Sequence, residues 1–362
     1  MMFKTYILYQ IIFSIVCPVQ ILQGQIDSTT NSDNKVDFIQ HSDSLIIQGI
    51  PPVPIDIARS VKKYNEAIPV KLTTWHPSEN QLIVRKRSGN ATQIHLVTSP
   101  LSSLRQLTSF TDPVTTSIFS PLNDNYFLFL KAAGGNEVNQ LFRYDLSTKK
   151  VVRVTQDDNR RIGLGIWSKT GLSYIYTAVM TGKKMKSDKF ETEIRIVNPN
   201  KHNSDSLLVK LQGVGWRPTD WSPTDNIVLL ERFISANESN LWLLDTQTGI
   251  KRLITKNRGN LSVINRNGKF SKDGKSIYYI SDKDSEFQRL IHTNLDNKTS
   301  TILSSHVNWD LFGFKISHDK KFIAFDTNEN GLWKLRVLDN KTLKEVQLPK
   351  LPEGQIGSYE WH

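Results

Sequence analysis

The chain holds one cysteine, Cys17, in 362 residues. It lies in an N-terminal apolar stretch that reads as a removable signal, so the mature chain is expected to carry no thiol. That excludes a disulfide scaffold, a cysteine metal site and a thiol enzyme, and leaves stability to packing. Long apolar runs are also missing. The stretch from Thr5 to Leu22 is short and broken by Gln10, Pro18 and Gln20. With Met1-Met2-Phe3-Lys4 ahead of it and a small residue at Leu22-Gln23-Gly24, it fits a signal peptide over residues 1–24 better than a membrane anchor. No membrane span is expected after cleavage.

Catalytic strings are lacking as well. The nearest approach to a nucleophile elbow, Gly171-Leu172-Ser173-Tyr174-Ile175, has no closing glycine and sits inside a strand pattern. There is no His-Glu-x-x-His, and the eight histidines are scattered. His76, His318 and His362 follow repeat anchors and are expected to be separated around a ring. Gly134-Gly135-Asn136 is followed by no Gly-Lys-Ser/Thr and reads as a hairpin turn. No cofactor is expected. The formal charge is +11, yet the basic residues spread along the chain, so nucleic acid is not an expected partner. The one cluster, Lys183-Lys184-Met185-Lys186 with Lys189, is placed at a loop tip.

What the chain does have is a period. Seven anchors recur: Trp75-His76-Pro77, Phe119-Ser120-Pro121, Trp167-Ser168-Lys169, Trp221-Ser222-Pro223, Phe270-Ser271-Lys272, Ile316-Ser317-His318 and Trp361-His362. Their spacings are 44, 48, 54, 49, 46 and 45 residues, in the range of propeller blades. Each repeat continues with an apolar strand such as Ile227-Val228-Leu229-Leu230. A second strand ends in Asp, as in Leu241-Trp242-Leu243-Leu244-Asp245, and a third follows, as in Lys251-Arg252-Leu253-Ile254-Thr255. Short apolar strands between Asp, Asn, Gly and Thr turns read as antiparallel meanders. The expected fold is all-β: a β-propeller of four-stranded antiparallel blades, six complete repeats plus the start of a seventh. The anchors should fill the seams between blades, and the strand-end Asp should accept backbone N–H bonds in its turn. Ahead of the propeller (67–362) come a polar linker (25–50) and a lead-in segment (51–66) with a short amphipathic helix around residues 55–66.

Two polar stretches are candidate contact loops, each expected between the first and second strands of its repeat. They are residues 231–239, containing Glu238, and residues 282–289, containing Glu286 and Arg289. A charged loop there suits a peptide or a partner domain; a solvated hairpin is the competing reading.

At these segments the chain resembles the N-terminal propeller of secreted prolyl oligopeptidase-family serine peptidases, including acylaminoacyl-peptidase-like and dipeptidyl-peptidase-like members. The likeness runs through Thr74-Trp75-His76-Pro77, Gln93-Ile94-His95-Leu96, Arg105-Gln106-Leu107-Thr108 and Asn139-Gln140-Leu141-Phe142-Arg143-Tyr144-Asp145-Leu146. It continues through Asn237-Glu238-Ser239-Asn240-Leu241 and Ser281-Asp282-Lys283-Asp284-Ser285-Glu286-Phe287-Gln288-Arg289-Leu290. TolB-like propellers share the single anchors. The resemblance implies a propeller that limits access to short peptides and docks on a C-terminal α/β-hydrolase domain carrying a Ser-Asp-His triad. No residue here matches that triad, so a truncation before the hydrolase domain is expected, with an open ring and poor solubility. The alternative is a stand-alone TolB-like propeller that binds proteins in the periplasm. Five Asn-x-Ser/Thr sequons, at Asn90, Asn237, Asn260, Asn297 and Asn340, are no more than an Asn-rich chain supplies, and a bacterial periplasm is the expected compartment.

Overall fold

Six of the seven anchors close a strand, and each of those strands is the innermost of a blade. The computed structural model describes residues 37–66, 68–122, 125–181, 190–255 and 262–362. The expected signal segment, Cys17, the lysine cluster at 183–189 and the sequon Asn260 lie outside the described residues.

Residues up to Pro69 and from Val70 onward form two units. In the first, helix α1 spans Ile55–Asn65, with Ile57, Val61 and Tyr64 on one side. Ahead of it the expected linker folds back on the lead-in segment: Phe38 pairs with Pro54, and Ile39 N donates to Val53 O at 2.9 Å.

The second unit is a six-bladed propeller of antiparallel sheets. Blade I comprises β1 (Val70–Trp75), β2 (Leu82–Ser88), β3 (Ala91–Val97) and β4 (Arg105–Gln106). Blade II comprises β5 (Val114–Phe119), β6 (Tyr126–Lys131), β7 (Gln140–Asp145) and β8 (Val151–Arg153). In blade III the inner strand is split into β9 (Arg160–Ile162) and β10 (Ile166–Trp167), followed by β11 (Tyr174–Met180), β12 (Glu191–Val197) and β13 (Ser206–Gln212). Blade IV holds β14 (Trp216–Trp221), β15 (Ile227–Ser235), β16 (Glu238–Asp245) and β17 (Lys251–Leu253). Blade V holds β18 (Asn265–Phe270), β19 (Ser276–Ser281), β20 (Arg289–Asn294) and β21 (Ser300–Ile302). Blade VI has β22 (Leu311–Ile316), β23 (Phe322–Glu329) and β24 (Leu332–Asp339), with a single bridge from Glu345 to Leu338 in the fourth position.

The second strand of each blade is apolar on both sides because it serves two seams at once. In β15, Val228 and Leu230 pack toward blade III with Trp221, whereas Leu229 packs toward blade V with Phe270 and Ile277. Alternation of side chains across a strand makes this division. Likewise Phe127 and Phe129 face blade I while Tyr126, Leu128 and Leu130 face blade III. Phe119, Trp167, Trp221 and Phe270 each enter the seam with the preceding blade, as their spacing predicts, and Ile316 borders the last.

The inner strands share a bulge. In blades I, II and IV the extra residue is a threonine whose hydroxyl donates to the carbonyl the bulge leaves unpaired. The pairs are Thr73 to Ile83 O (3.0 Å), Thr115 to Leu130 O (3.1 Å) and Thr219 to Leu229 O (3.1 Å). Blade III makes the break with Gly163 and Gly165. A Cβ at Gly165 would stand 2.2 Å from the Ile175 carbonyl oxygen, which leaves no room for a side chain, and one at Gly163 would meet the Thr177 hydroxyl at 2.2 Å. At the outer edge, Thr108, Thr155, Thr255 and Ser304 each accept from the backbone N–H of the facing third strand, at Ile94, Leu141, Leu241 and Leu290.

The expected role of the strand-end Asp holds in blades IV and VI. Asp245 accepts from Gln247 N and Thr248 N, and Asp339 from Lys341 N and Thr342 N. In blade V Asn294 does this work, and Asp145 in blade II pairs with Arg143 instead. The start of a seventh repeat is not seen among the described residues. Trp361 and His362 lie in no strand; Trp361 Nε1 donates to Lys315 O (3.0 Å) and the His362 ring packs edge-on against Trp75. This segment has aromatic contacts on both sides and no strand partner of its own to form a ladder.

Trp221 is 2% exposed, and its indole N–H has no partner in the seam. Trp221→Ala should therefore lower the unfolding free energy by about 3–5 kcal/mol. Trp221→Phe keeps most of the ring, removes the unpaired N–H and should cost less than about 1.5 kcal/mol. Urea melts compare the two; equal losses would contradict the seam packing.

Candidate functional site

The meander gives the propeller two ends of different chemistry. Hairpins between second and third strands, connections between blades and the starts of inner strands share one end. Hairpins after the inner strands lie at the other.

At the first end, blades IV to VI carry a linked set of charges. Glu231 is 2% exposed, in β15. The Arg217 Nη2 donates to both its oxygens at 2.7 and 2.8 Å, and Asn267 N of the next blade donates to it at 2.8 Å. Arg266 reaches onward: Nε to Gln288 Oε1, Nη1 to Phe312 O and Nη2 to Leu311 O, each at 2.8 Å. Gln288 N in turn donates to Asp310 Oδ1 at 2.7 Å. Burial lowers the Arg266 pKa, opposed by Glu231, Asp310 and Asp326. Burial raises Asp282, which accepts from Ile264 N, and Asp310 adds repulsion. Burial also raises Asp326, which accepts the Tyr359 hydroxyl at 2.6 Å.

The candidate residues fall at this end but do not bond to one another. Residues 231–235 belong to β15 rather than to a loop, because the β15–β16 ladder continues past Glu231 to the Ser235–Glu238 pair. Glu238 opens β16, half-buried, with no side-chain partner among the described residues. Glu286 is exposed in the hairpin between β19 and β20. Arg289 opens β20 and turns its donors inward, to Ser285 Oγ (2.8 Å) and to the carbonyls of Ser304, Ser305 and Val307 at 3.0–3.2 Å. It holds the connection to blade VI in place. Arg217 and Arg266 were not foreseen: they sit in polar inner strands, where sequence shows charge but not direction.

The donors and acceptors of this set are satisfied within the chain, so it ties blades IV to VI together. Ser173 lies in the turn after β10, its N–H bonded to Ser168 Oγ, and forms no elbow. Ser88 Oγ lies 3.2 Å from His95 Nε2, a contact the sequence does not announce. The His95 Nδ1 has no partner, so no third group orients the ring as a base. His362 reaches blade I, the blade of His76, through Trp75 and Glu79 O, while His318 stays on the turn of blade VI. Among the described residues no three His, Cys, Asp or Glu side chains converge as a metal site, and no helix is long and apolar enough to cross a membrane.

No protein-family model matches the chain, and no curated protein does. Solved structures do. An oligogalacturonate lyase in complex with manganese matches with a TM-score of 0.61 and 13% identity, over 76% of this chain and 77% of that one. A prolyl endopeptidase from a study of inter-domain dynamics matches with a TM-score of 0.62 and 13% identity, over 79% of this chain and 43% of that one. A puromycin-hydrolyzing peptidase of Mycobacterium tuberculosis matches with a TM-score of 0.60 and 13% identity, over 79% and 47%. The chain thus spans less than half the length of either peptidase. At this identity the likeness establishes the propeller fold alone.

The buried Asp326 supplies a test by pH. Its folded pKa lies above the ordinary range. Between the unfolded and folded values, the native state keeps a proton that the unfolded state has released, so wild-type stability falls as pH rises through that window. Asp326→Asn keeps an acceptor for Tyr359 and does not titrate. Its stability relative to wild type should rise between about pH 3.5 and 7. Denaturant titrations at both pH values read this difference, and a constant difference would rule the buried carboxyl out as its source.

Proposed function

We propose that this chain is the substrate-gating and domain-docking propeller of a secreted serine peptidase acting on short peptides, with the catalytic groups on a separate α/β-hydrolase domain. The main support is the character of the first end. Val214, Phe233, Ile234, Phe312 and Leu332 are exposed there, beside the acidic Glu238 and Glu286. An exposed apolar set rimmed by charge is what an interdomain contact needs. The ordered series of family-like segments and the two peptidases sharing the fold support the same reading. In it, Glu238 and Glu286 contact a peptide or the partner domain, and Arg289 fixes the connection to blade VI beside them.

The test is made on the natural polypeptide, isolated from its source with an antibody to residues 67–362. It should exceed this chain in intact mass, take a fluorophosphonate label and hydrolyse dipeptidyl or aminoacyl chromogenic substrates. The 362-residue chain alone should do neither of the last two. In the whole enzyme, Glu238→Gln and Glu286→Gln should raise KM about five- to tenfold with little change in kcat. A natural product that ends at His362 and takes no label would overturn the proposal in favour of a stand-alone, TolB-like binding propeller.

A further inference from the structure

The opposite end of the axis carries a different and unbalanced set of charges. Inner strands of successive blades deliver the residue before each anchor to this mouth: Asp220 in blade IV, Lys269 in blade V and Lys315 in blade VI. Lys169 joins them from the turn of blade III and Lys320 from the turn of blade VI.

Two of these lysines have their counter-charge. Lys169 Nζ lies 2.6 Å from Asp220 Oδ1, and Lys315 Nζ lies 2.6 Å from Glu360 Oε1. Asp220 also accepts Phe270 N at 2.8 Å. Although burial opposes its charge, Lys269 and Lys169 hold its pKa below the ordinary carboxylate range. That leaves Lys269 and Lys320. The Lys269 ammonium donates to the Thr219 carbonyl, which is neutral. The Lys320 ammonium has no hydrogen-bond or ion-pair partner among the described residues. Both feel Asp220 and Lys169 electrostatically, and the Asp220 carboxylate is already engaged by the blade III turn through Lys169. Two desolvated cations sharing an occupied anion is a costly arrangement, and it is relieved by an added negative group.

We propose that this axial mouth is an anion site in which Lys269 and Lys320, with Lys169 at the rim, bind the carboxylate or phosphate group of a small molecule. Lysine suits the task because each ammonium acts as a point charge and demands no fixed fork geometry. The site stands at the end remote from Glu238 and Glu286 and does not depend on the peptidase reading. Burial, opposed by Asp220 and aided by Lys315, Lys169 and Lys320, pushes the Lys269 ammonium down to about 8. An anion bound against it reverses that shift, so binding near pH 8 takes up a proton.

The test is calorimetric titration of the full chain with inorganic phosphate and, separately, with succinate, at pH 7 and low salt. At least one probe should bind saturably, with a dissociation constant near or below about 1 mM, and weaken as sodium chloride is added. Phosphate alone binding assigns a phosphate-bearing ligand, and succinate alone a carboxylate-bearing one. Lys320→Gln removes one of the crowded cations from a turn, so it should raise the melting temperature slightly or leave it unchanged while weakening binding about tenfold. Lys269→Met should weaken it further. At pH 8, heats measured in buffers of different ionisation enthalpy should reveal proton uptake that Lys269→Met abolishes. Lys201→Gln, at the basic hollow lined by Arg143, Arg153 and His202, should change nothing. No saturable heat from either probe below about 20 mM, or binding lost in Lys201→Gln and kept in Lys320→Gln, would overturn the proposal.

Discussion

Each blade of this propeller depends on one constraint: its second strand must be buried on both faces. A four-stranded antiparallel sheet in water hides one face at most. Here neighbours cover both, so β6, β15 and β19 carry unbroken apolar runs whose alternate residues belong to different seams. Tyr278 and Ile280 serve blade VI, while Ile277 and Tyr279 serve blade IV. A change at one such position therefore acts on one seam, whereas a slip of one residue in register would exchange the two sets. The bulges preserve this division. They let an inner strand turn toward the axis without shifting the ladder behind it, and threonine hydroxyls satisfy the carbonyls they free.

The same constraint explains where function can sit. Apolar residues are committed to the seams, so the inner strands, facing the axis, are free to be polar. They carry Arg217, Arg266, Lys269 and Lys315, and the curvature of the ring brings these charges together from blades that are distant in sequence. At one end the charges neutralise each other through Glu231, Asp310 and backbone carbonyls. At the other the acids are too few. The difference follows from single positions: Asp220, Lys269 and Lys315 occupy equivalent sites in successive repeats, where blades I to III have Thr74, Ile118 and Ile166.

This also sets what could be read in advance. The anchors and the second strands were legible because their burial is two-sided and repeats at a fixed period. The inner strands were not. Arg217-Pro218-Thr219-Asp220 and Asn265-Arg266-Asn267-Gly268 alternate poorly, since a bulge interrupts them and one side faces the axis. Residues 231–235 looked like a loop because Glu231 is charged, yet that carboxylate is buried by an arginine 14 residues earlier. The lysine cluster at the far mouth was invisible for the same reason: Lys169, Lys269 and Lys320 look like scattered surface charge until the ring closes around them. Arg289 was legible as a functional residue and works as a clamp on the chain leading to blade VI.

The seams are not equivalent, and the difference bears on how the ring holds. Five are filled by apolar clusters, from blades I and II to blades V and VI. Among the described residues no such cluster joins blade VI to blade I. Tyr359, Glu360, Trp361 and His362 lie there instead, bonded to Asp326, Lys315, the Lys315 carbonyl and the Glu79 carbonyl in turn. Polar contacts exchange one set of hydrogen bonds for another and contribute little net free energy each, whereas apolar burial contributes in proportion to area. Cohesion therefore differs around the ring: apolar clusters join blades I to VI in succession, and polar and aromatic contacts of the 359–362 segment lie between blades VI and I. The lysine mouth draws its members from blades III to VI, all joined by apolar seams, so its geometry rests on those seams.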